Sequence, residues 1–298
     1  MFTVETLAMS FAFKRRALLQ GALAGSTLLA LPAWATRSID TQFERLERTH
    51  GITLGLYALD TGSGRHLAYR ADQRFALCST FKVMLAGAVL HLSQEKPGLL
   101  AQRIHFDAKT LVVYSPITQQ HVDTGMTVAD LCAAALQYSD NTAANLLLEV
   151  IGGPAALTAF ARRMGDGAFR LDRNEPGLNS ALPDDPRDTS TPRAMAVSMQ
   201  RLVLGDGLDE PAQQQLQTWL KGNTTGAKRI RAGVPAGWTV GDKTGSGDYG
   251  VANDVAVIWP PNRAPWVLTL YTRAAEPKSL WQDAALAEAT RVVVGELG

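Results

Sequence analysis

The sequence predicts an α+β fold of two lobes, and three observations carry the prediction. Strand-like segments cluster near the two ends of the chain, at 52–69 and 238–272, while the stretch from Thr80 to about Leu220 is helical in pattern. The strand-like segments are separated by short turns, which suits antiparallel neighbours. The two ends therefore supply one sheet, with terminal helices packed on one face and a helical lobe inserted between, and the crevice between the lobes is the natural place for a site.

The first segment is set apart from the fold. Lys14, Arg15 and Arg16 precede the apolar run Ala17 to Leu31, and Ala33-Trp34-Ala35 has the A-x-A form of a signal-peptidase site. Residues 1–35 are thus expected to be a signal peptide cleaved after Ala35, the run being shorter than the roughly 20 residues that span a bilayer. Arg15-Arg16 before Leu18-Leu19 partly fits twin-arginine export, the Sec route stays open, and Met9 is an alternative start. An exported, periplasmic protein is expected, with no stable membrane association after cleavage and no cysteine at the cleavage site for a lipid.

A helix is expected over Asp40 to Thr49. Ile52 to Asp60, rich in apolar and β-branched residues and bounded by Thr61-Gly62-Ser63-Gly64, reads as a strand entering a hairpin that returns over Arg65 to Tyr69. Helices follow at Phe81–Leu92, Val128–Tyr138, Thr142–Ile151, Pro154–Met164, Pro192–Leu204 and Pro211–Leu220, three of them opening on the proline that suits a first helical turn. Strands resume at Trp238–Thr244, Val251–Trp259 and Trp266–Thr272, and Ser279–Leu297 reads as a closing helix. The expected division is an α/β lobe of 36–76 and 222–298 and an all-α lobe of 77–221. Within the latter, 170–188 is dense in Pro, Gly, Asn and Asp with Leu171, Leu178 and Leu182 interleaved, which suggests an Ω-type loop packed on its own side chains.

Composition removes several function classes. The 298 residues carry 29 Lys+Arg against 28 Asp+Glu, so there is no electrostatic footprint for nucleic acid or an anionic membrane. His50, His66, His91, His105 and His121 all lie in the first half without metal-ligand spacing, so no metal site and no cofactor are expected, and a nucleophile in the second half needs a base other than histidine. Cys78 and Cys132 could pair in an oxidising compartment, although Cys132 sits in an apolar helical run and reads as a small core residue. Nothing suggests oligomerisation, and a monomer is expected.

Two nucleotide-like patterns are decoys. Gly245-Ser-Gly247-Asp-Tyr-Gly250 satisfies G-x-G-x-x-G but precedes a strand rather than a helix, and Gly237 to Thr244 lacks P-loop spacing. The chemistry lies elsewhere. Ser79-Thr80-Phe81-Lys82 stands at a helix start, where residues three apart share a face, so the Lys82 amine can take or relay the Ser79 proton. Alone, this pattern reads as an N-capping serine and a solvated lysine. It is followed by Ser139-Asp140-Asn141 between two helices and by Lys243-Thr244-Gly245 at a strand end, where lysine and the hydroxyls of Thr244 and Ser246 can hold a carboxylate and glycine admits a substrate to the strand edge.

These three elements in this order are the motif set of class A β-lactamases and penicillin-binding proteins. The mature chain resembles a class A serine β-lactamase over essentially its whole length. The resemblance implies the β-lactamase/transpeptidase-like fold, a five-stranded antiparallel sheet with flanking helices plus an all-α lobe. Glu175-Pro176-Gly177-Leu178-Asn179 matches the family's E-x-x-L-N element, which target transpeptidases lack. It implies Glu175 as the base and Asn179 as the positioner of a water that frees an acyl-Ser79 ester.

By the same resemblance, the backbone N–H groups of Ser79 and Ser246 hold the oxyanion, and Ser139 relays a proton to the leaving nitrogen near Lys82 and Lys243. Whether Lys82 or Glu175 is the acylation base stays open. Lys243, Thr244, Gly245, Ser246 and Arg229 are the implied carboxylate site, Arg229 being the guanidinium behind the K-T-G strand. Asn141 and Asp248 face substrate, and Tyr114 forms the mouth of the cleft. Asn145 matches an amide bracing the loop and Lys82, and Arg173 and Asp188 match an ion pair closing the loop's neck. The Glu175-Pro176 bond is cis in many relatives. Lys243 to Gly250 resembles the cefotaximase subgroup, which implies penicillins and some cephalosporins as substrates. Cys78 precedes the nucleophile as in a disulfide-bearing carbapenemase group, but Gly247 stands where that group has the partner cysteine, which argues against carbapenem hydrolysis and for an unpaired Cys78. Two rival readings remain: an exported penicillin sensor or target that stays acylated, needing neither Glu175 nor Asn179, and a serine esterase or amidase on the same scaffold.

Overall fold

The computed structural model describes residues 33–298, with side-chain surroundings described from residue 39 onward. The expected signal peptide lies outside the described residues except for 33–35, which form the first turn of helix α1 (Ala33–His50).

Strands β1 (Thr53–Asp60), β2 (His66–Tyr69), β3 (Thr239–Ser246), β4 (Ala252–Trp259) and β5 (Trp266–Arg273) form one antiparallel sheet in the order β2-β1-β5-β4-β3. The register follows from side-chain alternation. On β4, Val255 and Val257 face one hydrophobic core, and Ala256 and Ile258 face the other. Both faces of the sheet are covered, so its strands are apolar nearly throughout.

One face carries α1 and the closing helix α9 (Asp283–Leu297), with Phe43, Leu46, Leu286 and Val293 in its core. The other carries the helical lobe: α2 (Phe81–Glu95), α3 (Val128–Gln137), α4 (Asn141–Ile151), α5 (Pro154–Arg163), α6 (Pro192–Val203) and α7 (Glu210–Lys221), with the short α8 (Ile230–Gly233) preceding β3 and α9 spanning Asp283–Leu297. Local chemistry sets the helix starts: Thr127, Asp140, Thr191 and Asp209 each accept a backbone N–H of the first turn. The helix α4 ends at Gly152 in the left-handed region, where a Cβ is strained.

The differences from the sequence pattern are local. The helix α2 continues to Glu95, and α9 begins at Asp283 rather than Ser279, leaving 274–282 as an irregular segment. The strand β3 runs on to Ser246, so the turn to β4 is only 247–251. Two-residue ladders, Phe75–Ala76 with Thr189–Ser190 and Arg103–Ile104 with Met126–Thr127, had no recognisable signal in so few residues. Among the described residues no single helix is long and apolar enough to cross a membrane.

Candidate active site

Ser79 lies in a 3₁₀ turn, Cys78–Thr80, that leads into α2. It does not cap the helix. Its hydroxyl instead accepts from Lys82 Nζ at 2.9 Å and donates to Glu175 Oε1 at 3.1 Å. The turn is held from two sides. Leu77 N–H donates to Asp188 O at 2.8 Å, and Asn253 on β4 donates through Nδ2 to the carbonyls of Ala76 (2.8 Å) and Leu77 (3.2 Å). Cys78 has φ 43°, a left-handed conformation that costs a non-glycine residue energy and persists only under such constraint.

Lys82, the second residue of α2 and three residues beyond Ser79, is fully buried. Its Nζ contacts Ser139 O (2.9 Å), Asn141 Oδ1 (2.7 Å), Ser139 Oγ (3.4 Å) and Glu175 Oε1 (3.1 Å) besides Ser79. Burial lowers its pKa, opposed chiefly by the Glu175 carboxylate. Lys243, at the centre of β3 and equally buried, donates to Ser139 Oγ at 3.0 Å and to Thr244 O at 2.7 Å. Its pKa lies well below the ordinary lysine value, first through burial and then through the nearby charge of Lys82. Ser139 Oγ therefore bridges two buried lysines, either of which is easier to deprotonate than a lysine in water. Ser139 itself is left-handed at φ 59°, as is Tyr114 at φ 64°, whose carbonyl accepts Asn141 N–H at 3.0 Å and whose side chain is exposed.

Glu175 and Asn179 project from the 170–188 loop. Asn179 Nδ2 donates to Glu175 Oε2, and Asn179 Oδ1 is buried without a partner among the described residues. The Glu175-Pro176 peptide is cis. At the loop's neck Arg173 Nε meets the buried Asp188 Oδ2 at 2.6 Å, and Asp188 Oδ1 accepts the backbone N–H groups of Asp172 (2.7 Å) and Arg173 (2.9 Å). Among the described residues the Asn145 side chain bonds only the backbone of Glu175. The amide on Lys82 is that of Asn141, so the expectation that Asn145 also braces Lys82 is corrected: α4 presents Asn141 and Asn145 one turn apart, each to a different partner.

Gly245 also differs from its sequence reading. A Cβ there would lie 2.9 Å from Leu77 O and 3.2 Å from Ser79 N, so what the glycine admits is the nucleophile's own turn, against the edge of β3. Its carbonyl accepts from Arg229. That guanidinium stands behind β3 with every nitrogen engaged: Nη1 to Gly245 O (2.8 Å) and Asn253 O (2.7 Å), Nη2 to Ser246 Oγ (2.7 Å), and Nε to Asp283 Oδ1 (2.7 Å). Arg229 therefore orients the Ser246 hydroxyl rather than presenting a free fork. Thr244 Oγ1 contacts Thr225 Oγ1, and Asp248 N–H donates to Asn179 O at 3.0 Å, tying loop to strand.

Three contributors were not singled out in the sequence: Asn253, Asp283 and Thr225. Asparagine within an apolar strand pattern was the available signal for Asn253; the other two sit at an element boundary and in a turn, where polar residues are ordinary. Cys78 and Cys132 are both buried free thiols, and burial pushes both thiol pKa values up. Among the described residues no cluster of His, Cys, Asp and Glu could hold a metal ion.

The family described as the beta-lactamase enzyme family matches residues 38–297. The chain is 54% identical over 277 residues to the carbapenem-hydrolyzing beta-lactamase KPC of Klebsiella oxytoca, covering 93% of each chain. It is 54% identical to beta-lactamase Toho-1 of Escherichia coli, covering 86% of this chain and 88% of that one. The crystal structure of a beta-lactamase from Desulfarculus baarsii superposes with a TM-score of 0.87 at 55% identity, covering 88% of this chain and 98% of that chain.

Proposed function

The chain belongs to the beta-lactamase enzyme family, as a class A enzyme that hydrolyses β-lactams, and from that premise we propose how its residues divide the reaction. Ser79 attacks the lactam carbonyl. Its proton passes to the Lys82–Glu175 pair, both partners lying within 3.1 Å of the hydroxyl. The backbone N–H groups of Ser79 and Ser246 receive the oxyanion, and Ser139 delivers a proton to the leaving nitrogen, replenished from Lys82 or Lys243. The substrate carboxylate is held by Lys243, Thr244 and the Ser246 hydroxyl that Arg229 orients. Asn141 and Asp248 line the cleft, with Tyr114 at its mouth.

The observation that carries hydrolysis, as against trapping, is the arrangement of Glu175 and Asn179. The carboxylate reaches Ser79 Oγ, and the partnerless acceptor Asn179 Oδ1 lies beside it. A water held by the Glu175 carboxylate and Asn179 Oδ1 attacks the acyl-Ser79 carbonyl, Glu175 takes its proton, and the ester C–O bond breaks to return Ser79. Arg173–Asp188 and Asn145 keep Glu175 in place.

Penicillins and at least some cephalosporins are the proposed substrates, with β-lactam resistance as the consequence. Carbapenem hydrolysis, named for the Klebsiella relative, is not carried over, because Cys78 faces Gly247 and has no disulfide partner. Export to the periplasm as a monomer, after loss of 1–35, completes the proposal, with the α/β lobe assigned to 36–76 and 222–298 and the all-α lobe to 77–221. Purified protein mixed with excess benzylpenicillin tests the reading: loss of many lactam equivalents supports it, and consumption of a single equivalent makes the protein a penicillin sensor or target instead. Cefotaxime that is not turned over removes cephalosporins of that kind from the proposal.

A further inference from the structure

The two N–H groups proposed to receive the oxyanion sit on different pieces of the fold. Ser79 N–H belongs to the 3₁₀ turn Cys78–Thr80, and Ser246 N–H to the last residue of β3. Such a pair stabilises developing charge only when both hydrogens point at the same place, so whatever seats the turn against the sheet sets the strength of the pair. The turn does not hold itself: Cys78 is in the left-handed region at φ 43°, a conformation that relaxes unless its surroundings fix it. From the β3 side, Gly245 offers close approach but no side chain to bond with, since a Cβ there would lie 2.9 Å from Leu77 O.

The bond comes from Asn253, which lies on β4 opposite Gly245. It shares a face of β4 with Val255 and Val257, where the alternation of the strand calls for an apolar side chain. The residue is fully buried, and an amide in such a place costs stability unless its hydrogen bonds are made. They are made to the frame of the site. Nδ2 donates to Ala76 O at 2.8 Å and Leu77 O at 3.2 Å, just before the nucleophile, and Oδ1 accepts Thr272 N–H of β5 at 3.2 Å. The other donors to Leu77 O, Thr80 N–H at 3.2 Å and Thr80 Oγ1 at 2.7 Å, belong to the turn region itself. Among the described residues, Asn253 is therefore the side chain that ties this carbonyl to the sheet.

The main chain of the same residue reaches the second donor. Asn253 O accepts from Arg229 Nη1 at 2.7 Å, the nitrogen that also donates to Gly245 O at 2.8 Å, while Arg229 Nη2 holds Ser246 Oγ at 2.7 Å. One residue thus grips the turn with its side chain and, through one guanidinium, the end of β3 with its backbone. Resting on the hydrolytic reading above, we propose that Asn253 is a positioning residue that sets the spacing of the Ser79 and Ser246 N–H groups, and so the strength of the oxyanion site, without touching substrate.

The test reads the donors through the ester they polarise. In a Glu175→Gln background the acyl adduct of benzylpenicillin, isotopically labelled at the lactam carbonyl carbon, is trapped and its ester carbonyl stretch followed by infrared difference spectroscopy. Hydrogen bonds to that oxygen lower the frequency. Asn253→Leu, similar in size but without donors, and Asn253→Ala are each expected to move the band to higher frequency. With Glu175 intact, both are expected to lower kcat/KM for benzylpenicillin about ten- to hundredfold. Val257→Ala, farther along the same face of β4, is expected to lower the melting temperature and leave both readouts in place, because lost packing alone does not move the donors. An unmoved band, or kcat/KM within about twofold of wild type, in both Asn253 variants overturns the proposal while leaving hydrolysis standing. So does a Val257→Ala band displaced as far as that of Asn253→Leu. Glu175→Gln protein that forms no lasting adduct overturns the hydrolytic reading and this proposal with it.

Discussion

Asn145 and Glu175 are joined by two reciprocal hydrogen bonds: the Asn145 amide donates to the Glu175 carbonyl at 2.9 Å, and the Glu175 backbone N–H donates to Asn145 Oδ1 at 2.9 Å. One side chain on α4 thus satisfies both backbone groups of the loop residue whose carboxylate reaches Ser79. Asn145→Ala leaves both groups without that partner, at a cost of about 1–3 kcal/mol for each group that stays dry. A lower melting temperature is expected, together with at least about a tenfold slowing of deacylation, because a displaced base loses its alignment with the ester. Calorimetry and the lifetime of the acyl adduct by mass spectrometry check both.

The neck of the same loop makes a directional prediction. Asp188 is fully buried and accepts two backbone N–H groups as well as Arg173, which is partly exposed. Asp188→Ala orphans all three donors, whereas Arg173→Ala leaves the carboxylate with its backbone donors. Asp188→Ala is therefore the more destabilising change, by about 1–3 kcal/mol in denaturant unfolding.

Gly247 sits where the loop and β3 meet. A Cβ there would fall 2.6 Å from Asn179 O and 2.7 Å from Cys78 Sγ. Backbone cannot rotate away as a side chain can, so Gly247→Ala is expected to push the 176–180 segment off β3 and slow benzylpenicillin deacylation about tenfold by moving Asn179. Adding Cys78→Gly relieves the sulfur contact but not the carbonyl contact, and recovery of the wild-type rate in the double variant contradicts this account.

Lys243 is buried without a carboxylate in salt-bridge range among the described residues, and its pKa is lowered well below the usual value. Between that lowered value and the unfolded value near about 10.4 the unfolded chain holds more protons, so stability rises with pH across this window. Lys243→Met removes the penalty. It is expected to raise the melting temperature by about 2–4 °C at neutral pH, an advantage that shrinks as pH approaches the unfolded value, while activity falls. Thermal scans from pH 7 to about 10 test the sign.

The long helices and the sheet strands were legible because their signals are local: a 3.6-residue period, a proline or Thr/Asp at each start, and apolar runs broken by glycine. The two-residue ladders and the late start of α9 were not, because tertiary pairing rather than local pattern sets them. The site divides the same way. Ser79, Lys82, Ser139, Glu175 and Lys243 stand in short motifs, and the structure gathers them within hydrogen-bond reach. What sequence could not resolve is partnership: Asn141 rather than Asn145 on Lys82, the nucleophile turn rather than substrate against Gly245, and Asp283 occupying one nitrogen of Arg229. Each depends on which strand or helix passes behind a residue, and spacing along the chain does not encode that.

The central claim is that Glu175 frees Ser79 from its acyl ester. The most direct measurement is time-resolved intact mass of wild type and Glu175→Gln with excess benzylpenicillin. The account predicts at most a transient adduct on wild type, with complete lactam loss, and a stoichiometric, lasting adduct on Glu175→Gln. Equal, rapid turnover by both proteins, or a lasting adduct on both, contradicts it.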